Sequence, residues 1–101
     1  MFMRTNPVAK GNYENGEKNG HWTFWYPNGQ KWQEGMYRKG RRQGMWTIWS
    51  ESGLKTGQGS YKNGKRHGTW TFWLEDGKVQ AECMYRSGAL AGPYRDTTRV
   101  A

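Results

Sequence analysis

The sequence predicts an all-β protein, a repetitive antiparallel β-meander of about four hairpins of 24 residues that form an elongated, twisted single sheet. Three observations predict this fold. Glycine, tyrosine and tryptophan recur at a fixed spacing of 24 residues. Short runs of aromatic and β-branched residues alternate with glycine turns, and no segment keeps a helical apolar period over two turns.

The repeat runs without an insertion from residue 11 to residue 94, and each unit should therefore pack on its neighbours. Its columns are Gly11, Gly35, Gly59 and Cys83; Tyr13, Tyr37, Tyr61 and Tyr85; Trp22, Trp46, Trp70 and Tyr94; and Trp25, Trp49 and Trp73. We divide the chain into an N-terminal segment 1–10, units 11–34, 35–58, 59–82 and a partial unit 83–94, and a tail 95–101.

Each unit contains the residues of a β-hairpin. "HWTFWY", "MWTIWS" and "TWTFWL" are strand-like runs, and each is followed by a second strand that ends in a tyrosine of the repeat. Asn15-Gly16, Asn28-Gly29, Asn63-Gly64 and Asp76-Gly77 are turn dipeptides. We therefore expect roughly eight strands in chain order.

Alternation along the strands assigns their faces. Trp22, Trp46 and Trp70 lie on one face with Phe24, Ile48 and Phe72, and Trp25, Trp49 and Trp73 lie on the other with threonines. Gly35 and Gly59 share the face of the tyrosines that follow them, and their missing Cβ leaves room for a ring to lie flat on the backbone.

Composition narrows the class of function. The chain has 34% hydrophobic residues, 16% aromatic residues and a formal charge of +8, which favours an acidic partner. Cys83 is the single cysteine, and we find neither the apolar run of a signal peptide nor that of a transmembrane segment. These features predict a soluble, cytoplasmic protein.

The sequence contains no set of residues that predicts catalysis. His21 and His67 occupy different places in the repeat and lack Cys or carboxylate partners at ligand spacing. Cys83 replaces a structural glycine, and the acidic residues of the turns are ordinary solvated groups. We therefore predict a non-enzyme without catalytic residues, metal or cofactor.

The repeated unit resembles a known family. The pattern G-x-Y-x-x-G-x-x-x-G-x-W-x-x-W-x-x-x-G resembles the MORN repeat, and the tryptophan-rich form with "NGKRHG" is similar to the bacterial variant found in YwqK-type antitoxins. This resemblance covers residues 11–94 and implies a binding module that neutralises a protein partner, either a toxin or an effector enzyme. The chain departs from the pattern at Cys83, at Tyr94 and in "SGALAG".

The two kinds of turn alternate, so they should project from opposite edges of the sheet, one of them basic. We predict that the partner is held by tryptophan anchors and basic rim contacts: Trp25, Trp49, Trp73, Lys39, Arg41, Arg42, Lys65 and Arg66. Alternatives remain open: stacking that only stabilises the sheet, binding of an anionic phospholipid surface or nucleic acid, a scaffold role in a larger assembly, and self-association through edge strands.

Overall fold

The structure, a computed structural model, describes residues 8–96. Residues 1–7 and 97–101, which belong to the predicted N-terminal segment and tail, lie outside the described residues. The strands are β1 (Ala9–Glu14), β2 (Glu17–Trp25), β3 (Lys31–Arg38), β4 (Arg41–Trp49), β5 (Lys55–Lys62), β6 (Lys65–Trp73), β7 (Val79–Arg86) and β8 (Ala89–Asp96).

These strands form one sheet in chain order, and every neighbouring pair is antiparallel. The described part of the chain contains no helix. The sheet is elongated, with principal dimensions of 54 × 35 × 15 Å. The all-β meander predicted from the repeat is confirmed.

The turns are of two kinds, and they alternate as the sequence predicts. Odd-to-even turns have two central residues with positive φ, as in Asn63 (52°) and Gly64 (85°), which matches the right-handed twist of the flanking strands. Even-to-odd turns are longer: the Tyr26 N–H donates to the Gln30 carbonyl, and the Gly29 N–H donates back to the Tyr26 carbonyl. The first kind forms the basic edge of the sheet and the second kind the opposite edge.

Each strand pair contains a register shift. In β3–β4 the shift separates Gly35 from Met36, opposite Gly44, which has a φ of 77°. In β2–β3 the shift leaves Trp32 without an opposite residue, so that Lys31 faces Trp25. The single unpaired residue Trp32 changes the face of Lys31, because side chains otherwise alternate strictly. In β4 two residues, Gly44 and Met45, have no partner in β3, so Arg42 keeps the face of Trp46.

One face of the sheet is closed by stacked rings, and we call it the stacked face; it carries Trp22, Trp46 and Trp70. Trp46 and Trp70 are fully buried, although the sheet has only one layer. A Cβ on Gly59 would lie 2.2 Å from Cδ2 of Trp70, so the indole lies directly on the backbone of β5. The Trp70 Nε1–H also donates to the Ser60 carbonyl at 2.9 Å. The ring-on-glycine packing expected from the sequence is confirmed.

Tyrosines join these indoles into a continuous ladder across the strands. Tyr37 meets Trp46 edge to face, with ring centroids 5.2 Å apart, and Tyr61 meets Trp70 in the same geometry at 5.2 Å. Edge-to-face pairs add roughly 0.5–1.5 kcal/mol each beyond area burial. The ladder therefore takes the place of the hydrophobic core that a second layer would supply.

Candidate functional site

The other face, which we call the open face, carries the tryptophans that the sequence assigns to a partner. Trp25, Trp49 and Trp73 are each partly buried near the edge opposite the basic one. Trp25 and Trp49 line one shallow groove together, and Trp73 lines a second groove beside Lys55. The structure thus brings two of the three predicted anchors into the same depression.

Lysines that the sequence analysis did not select lie over two of these rings. The Lys31 ammonium stands 5.5 Å from the Trp49 ring centroid, and Lys55 stands 5.6 Å from that of Trp73. The bulge at Trp32 turns Lys31 to this face, where it faces Trp25 across the strands. Cations over indole faces are favourable, so the open face presents tryptophan and positive charge together.

A polar stripe crosses the middle of the open face. The Gln58 amide donates to the Thr47 hydroxyl at 2.9 Å, and Glu34 is paired with Lys31 at 2.7 Å and with His21 at 2.9 Å. Burial by itself would raise the pKa of the Glu34 carboxyl, but the contacts with Lys31 and His21 outweigh it and lower the pKa. This carboxylate holds Lys31 in place beside the tryptophan groove.

Methionines occupy the open face on the side of the basic edge. Met36, Met45 and Met84 alternate with buried residues of the stacked face, and they are 46%, 57% and 40% exposed. Exposed methionine is an adaptable apolar contact group. Alternation from Gly35 and Trp46 predicts this placement, although the sequence analysis did not use it.

The predicted basic residues do not form one cluster. Lys39 and Arg41 line a groove at the second turn together with Glu17, Arg38 and Asn63. Lys65 is exposed at the third turn of the same edge. Lys39 has a φ of 50°, a left-handed conformation that disfavours a residue with a long side chain.

Arg42 and Arg66 lie elsewhere, on the stacked face. The Arg42 guanidinium stands 4.3 Å from the Trp46 ring centroid and donates to Gln33 Oε1 at 2.8 Å. Arg66 stands 4.8 Å from the Trp70 centroid and donates to the Tyr85 hydroxyl at 3.2 Å. Both arginines therefore belong to the aromatic ladder in this structure. Alternation counted back from Trp46 would have placed Arg42 on this face.

Within residues 8–96, no three His, Cys, Asp or Glu side chains stand close enough to hold a metal ion together. No helix in that range is long and apolar enough to cross a membrane.

The similarity found between this chain and known families lies in two segments, and the matching family model describes a repeat. No curated protein matches the chain. Two segments match a family model described as MORN repeat variant, residues 18–39 and residues 66–87. The second segment begins two periods after the first. The first covers β2, the longer turn and β3, and the second covers the equivalent elements β6, turn and β7. MORN repeats are binding modules in a fold that is typically non-catalytic, which indicates a binding or scaffold role. The two segments are thus similar to MORN repeats, and the open eight-stranded meander that contains them is consistent with that family.

Proposed function

We propose that this protein is a small non-enzymatic binding module of the antitoxin or immunity type. It inhibits an acidic protein partner, a toxin or an effector enzyme, in the cytoplasm. The observation that carries the proposal is the difference between the two faces. The stacked face buries Trp46 and Trp70 in its own ring ladder, and the open face offers partly buried tryptophan, lysine and exposed methionine to a partner.

The open face has the composition of an interface centre. Trp49 and Trp73 supply large rigid rings, and such residues dominate binding energies at protein interfaces. Lys31 and Lys55 lie over these rings. Lys55 is exposed, so a carboxylate of the partner can pair with its ammonium while apolar groups of the partner cover the groove, whereas Lys31 is already paired with Glu34 at 2.7 Å. An acidic partner surface complements this arrangement.

The basic edge supplies a second, weaker contribution. Lys39, Arg41 and Lys65 are exposed, and such charges mainly accelerate association rather than strengthen the final complex. Arg42 and Arg66 support the partner surface from behind, because they hold the aromatic ladder on which the open face rests. The sequence-based hypothesis, in which all the basic residues contact the partner, stays a prediction beside this division of roles.

The test is capture of the partner by the tagged protein, followed by an activity measurement on the captured protein. Trp49→Ala should lose capture, whereas Trp32→Ala should keep it, because Trp32 is also exposed but contacts Phe24 on the stacked face. The parent protein should abolish the toxicity or enzymatic activity of the partner when the two are co-expressed.

Charge reversal tests the contribution of the edge. The triple change of Lys39, Arg41 and Lys65 to Glu should slow association, whereas Lys78→Glu at the opposite edge should leave the rate unchanged. The proposal is wrong if the captured partner remains fully active. It is also wrong if the parent binds anionic vesicles or mixed-sequence RNA more tightly than any protein, because the basic residues would then serve a polyanion.

A further inference from the structure

The two ends of the sheet are complementary to each other. We propose that copies of this chain associate head to tail, so that β1 of one copy pairs with β8 of the next and continues the sheet. Within residues 8–96, β1 and β8 each have a neighbour on one side only. The three internal pairs β2–β3, β4–β5 and β6–β7 have the same register. If β8 of one copy pairs with β1 of the next in that register, the residues that meet are defined.

Backbone groups at the two ends are placed for this contact. At each internal boundary the glycine of a two-residue turn donates to a carbonyl of the preceding unit, as from Gly40 to Lys18 at 2.9 Å and from Gly88 to Arg66 at 2.8 Å. Gly16 occupies the same place in the first turn, and Leu90 occupies the acceptor's place in the last unit. Head-to-tail continuation brings these two together.

Side chains at the ends show the same match. Lys18 is the residue of the first unit that corresponds to Leu90 in the repeat. Its ammonium lies 5.5 Å from the ring centroid of Tyr37, the tyrosine of the next odd strand. At the ends these positions are Leu90, which is 56% exposed, and Tyr13, which is 64% exposed. The continued register places them in one contact, where each covers the apolar surface of the other.

The charges at the two end turns favour the same arrangement. Glu14 and Glu17 face each other across the first turn, whereas Arg86 and Ala89 face each other across the last. In the continued sheet these turns stand about 10 Å apart, two strand spacings, which is within one Debye length at moderate salt. The structure already contains one such neighbour pair, since Glu17 lines a groove with the basic second turn.

Disulfide trapping distinguishes this contact from its alternatives. Within the sheet His21 of β2 faces Met36 of β3. The equivalent pair between two copies is Pro93 in β8 of one copy and Asn12 in β1 of the next. In a Cys83→Ala background, a mixture of Pro93→Cys and Asn12→Cys proteins should form a mixed disulfide dimer under mild oxidation, and neither protein should cross-link alone. If Asn12→Cys links to itself, two β1 strands pair with each other and the proposal is overturned. Absence of any cross-link between folded proteins overturns it as well.

Sedimentation of the full chain provides the second measurement. The parent should form species larger than a dimer as its concentration rises, because a head-to-tail contact leaves both ends open. Leu90→Asp should reduce this association at least tenfold, whereas Leu54→Asp, at another exposed leucine, should not. A parent that stays monomeric at every concentration rules the proposal out.

Discussion

A single added methyl group on β5 tests how the stacked face is held. Gly59 lies beneath the Trp70 indole, and an alanine Cβ there would lie 2.2 Å from Cδ2 and 2.4 Å from Cγ of that ring. The ring cannot yield without losing its 2.9 Å hydrogen bond to the Ser60 carbonyl and its contact with Tyr61. We therefore expect Gly59→Ala to displace an indole that is fully buried.

The magnitude follows from opposing contributions. Overpacking of a well-filled site costs about 1–3 kcal/mol, and a buried hydrogen bond left unmade costs about 1–3 kcal/mol more. Replacing glycine by alanine in a strand returns about 0.5–1 kcal/mol of backbone entropy. We expect a net destabilisation of roughly 3 kcal/mol, which lowers the Tm of a domain of this size by about 12–24 °C.

The matched control is Gly57→Ala, on the same strand and the same face. A Cβ at Gly57 would meet Cδ1 of Phe72 at 3.3 Å, a distance that a shift of a few tenths of an ångström relieves. Thermal unfolding of the parent and both variants, followed by tryptophan fluorescence, gives the comparison. If Gly59→Ala melts with the parent or with Gly57→Ala, the indole does not depend on the bare glycine and the reasoning is refuted.

Three further predictions concern single side chains. Trp46→Ala should cost about 3–5 kcal/mol in urea unfolding, whereas Trp49→Ala should cost much less, because only Trp46 is fully buried; equal losses would contradict the assignment of faces. The pKa of Glu34 is lowered in the folded state, so its carboxylate stabilises the fold above the usual glutamate pKa of about 4.3. The parent should therefore melt at a higher temperature than Glu34→Gln at neutral pH, and this difference in Tm should disappear as the pH falls to about 2. A difference in Tm that is unchanged in acid would disprove this role. Lys39→Asn should raise stability by about 1 kcal/mol, because asparagine tolerates the left-handed turn, and Asn63→Lys should lower it similarly; no difference in urea midpoints would show that Lys39 is unstrained.

The sequence by itself determined the architecture. The uninterrupted period required identical units, and glycine turns between short strands allowed only consecutive antiparallel pairing. It also determined the stacked face, since alternation places Trp46 beside Gly35 and Tyr37, and only glycine leaves space for an indole on the backbone. These features depend on spacing along one chain, which the sequence states directly.

The tertiary structure alone decided which groups meet across strands. Alternation from Tyr37 would place Lys31 on the stacked face, but the unpaired Trp32 shifts the count by one and brings Lys31 over Trp49. Arg42 could be assigned a face from sequence, whereas its contact with Tyr61 required the β4–β5 register. A bulge moves side chains by one residue while leaving the repeat period unchanged, so periodicity determines the strands and only the folded register determines the binding surface.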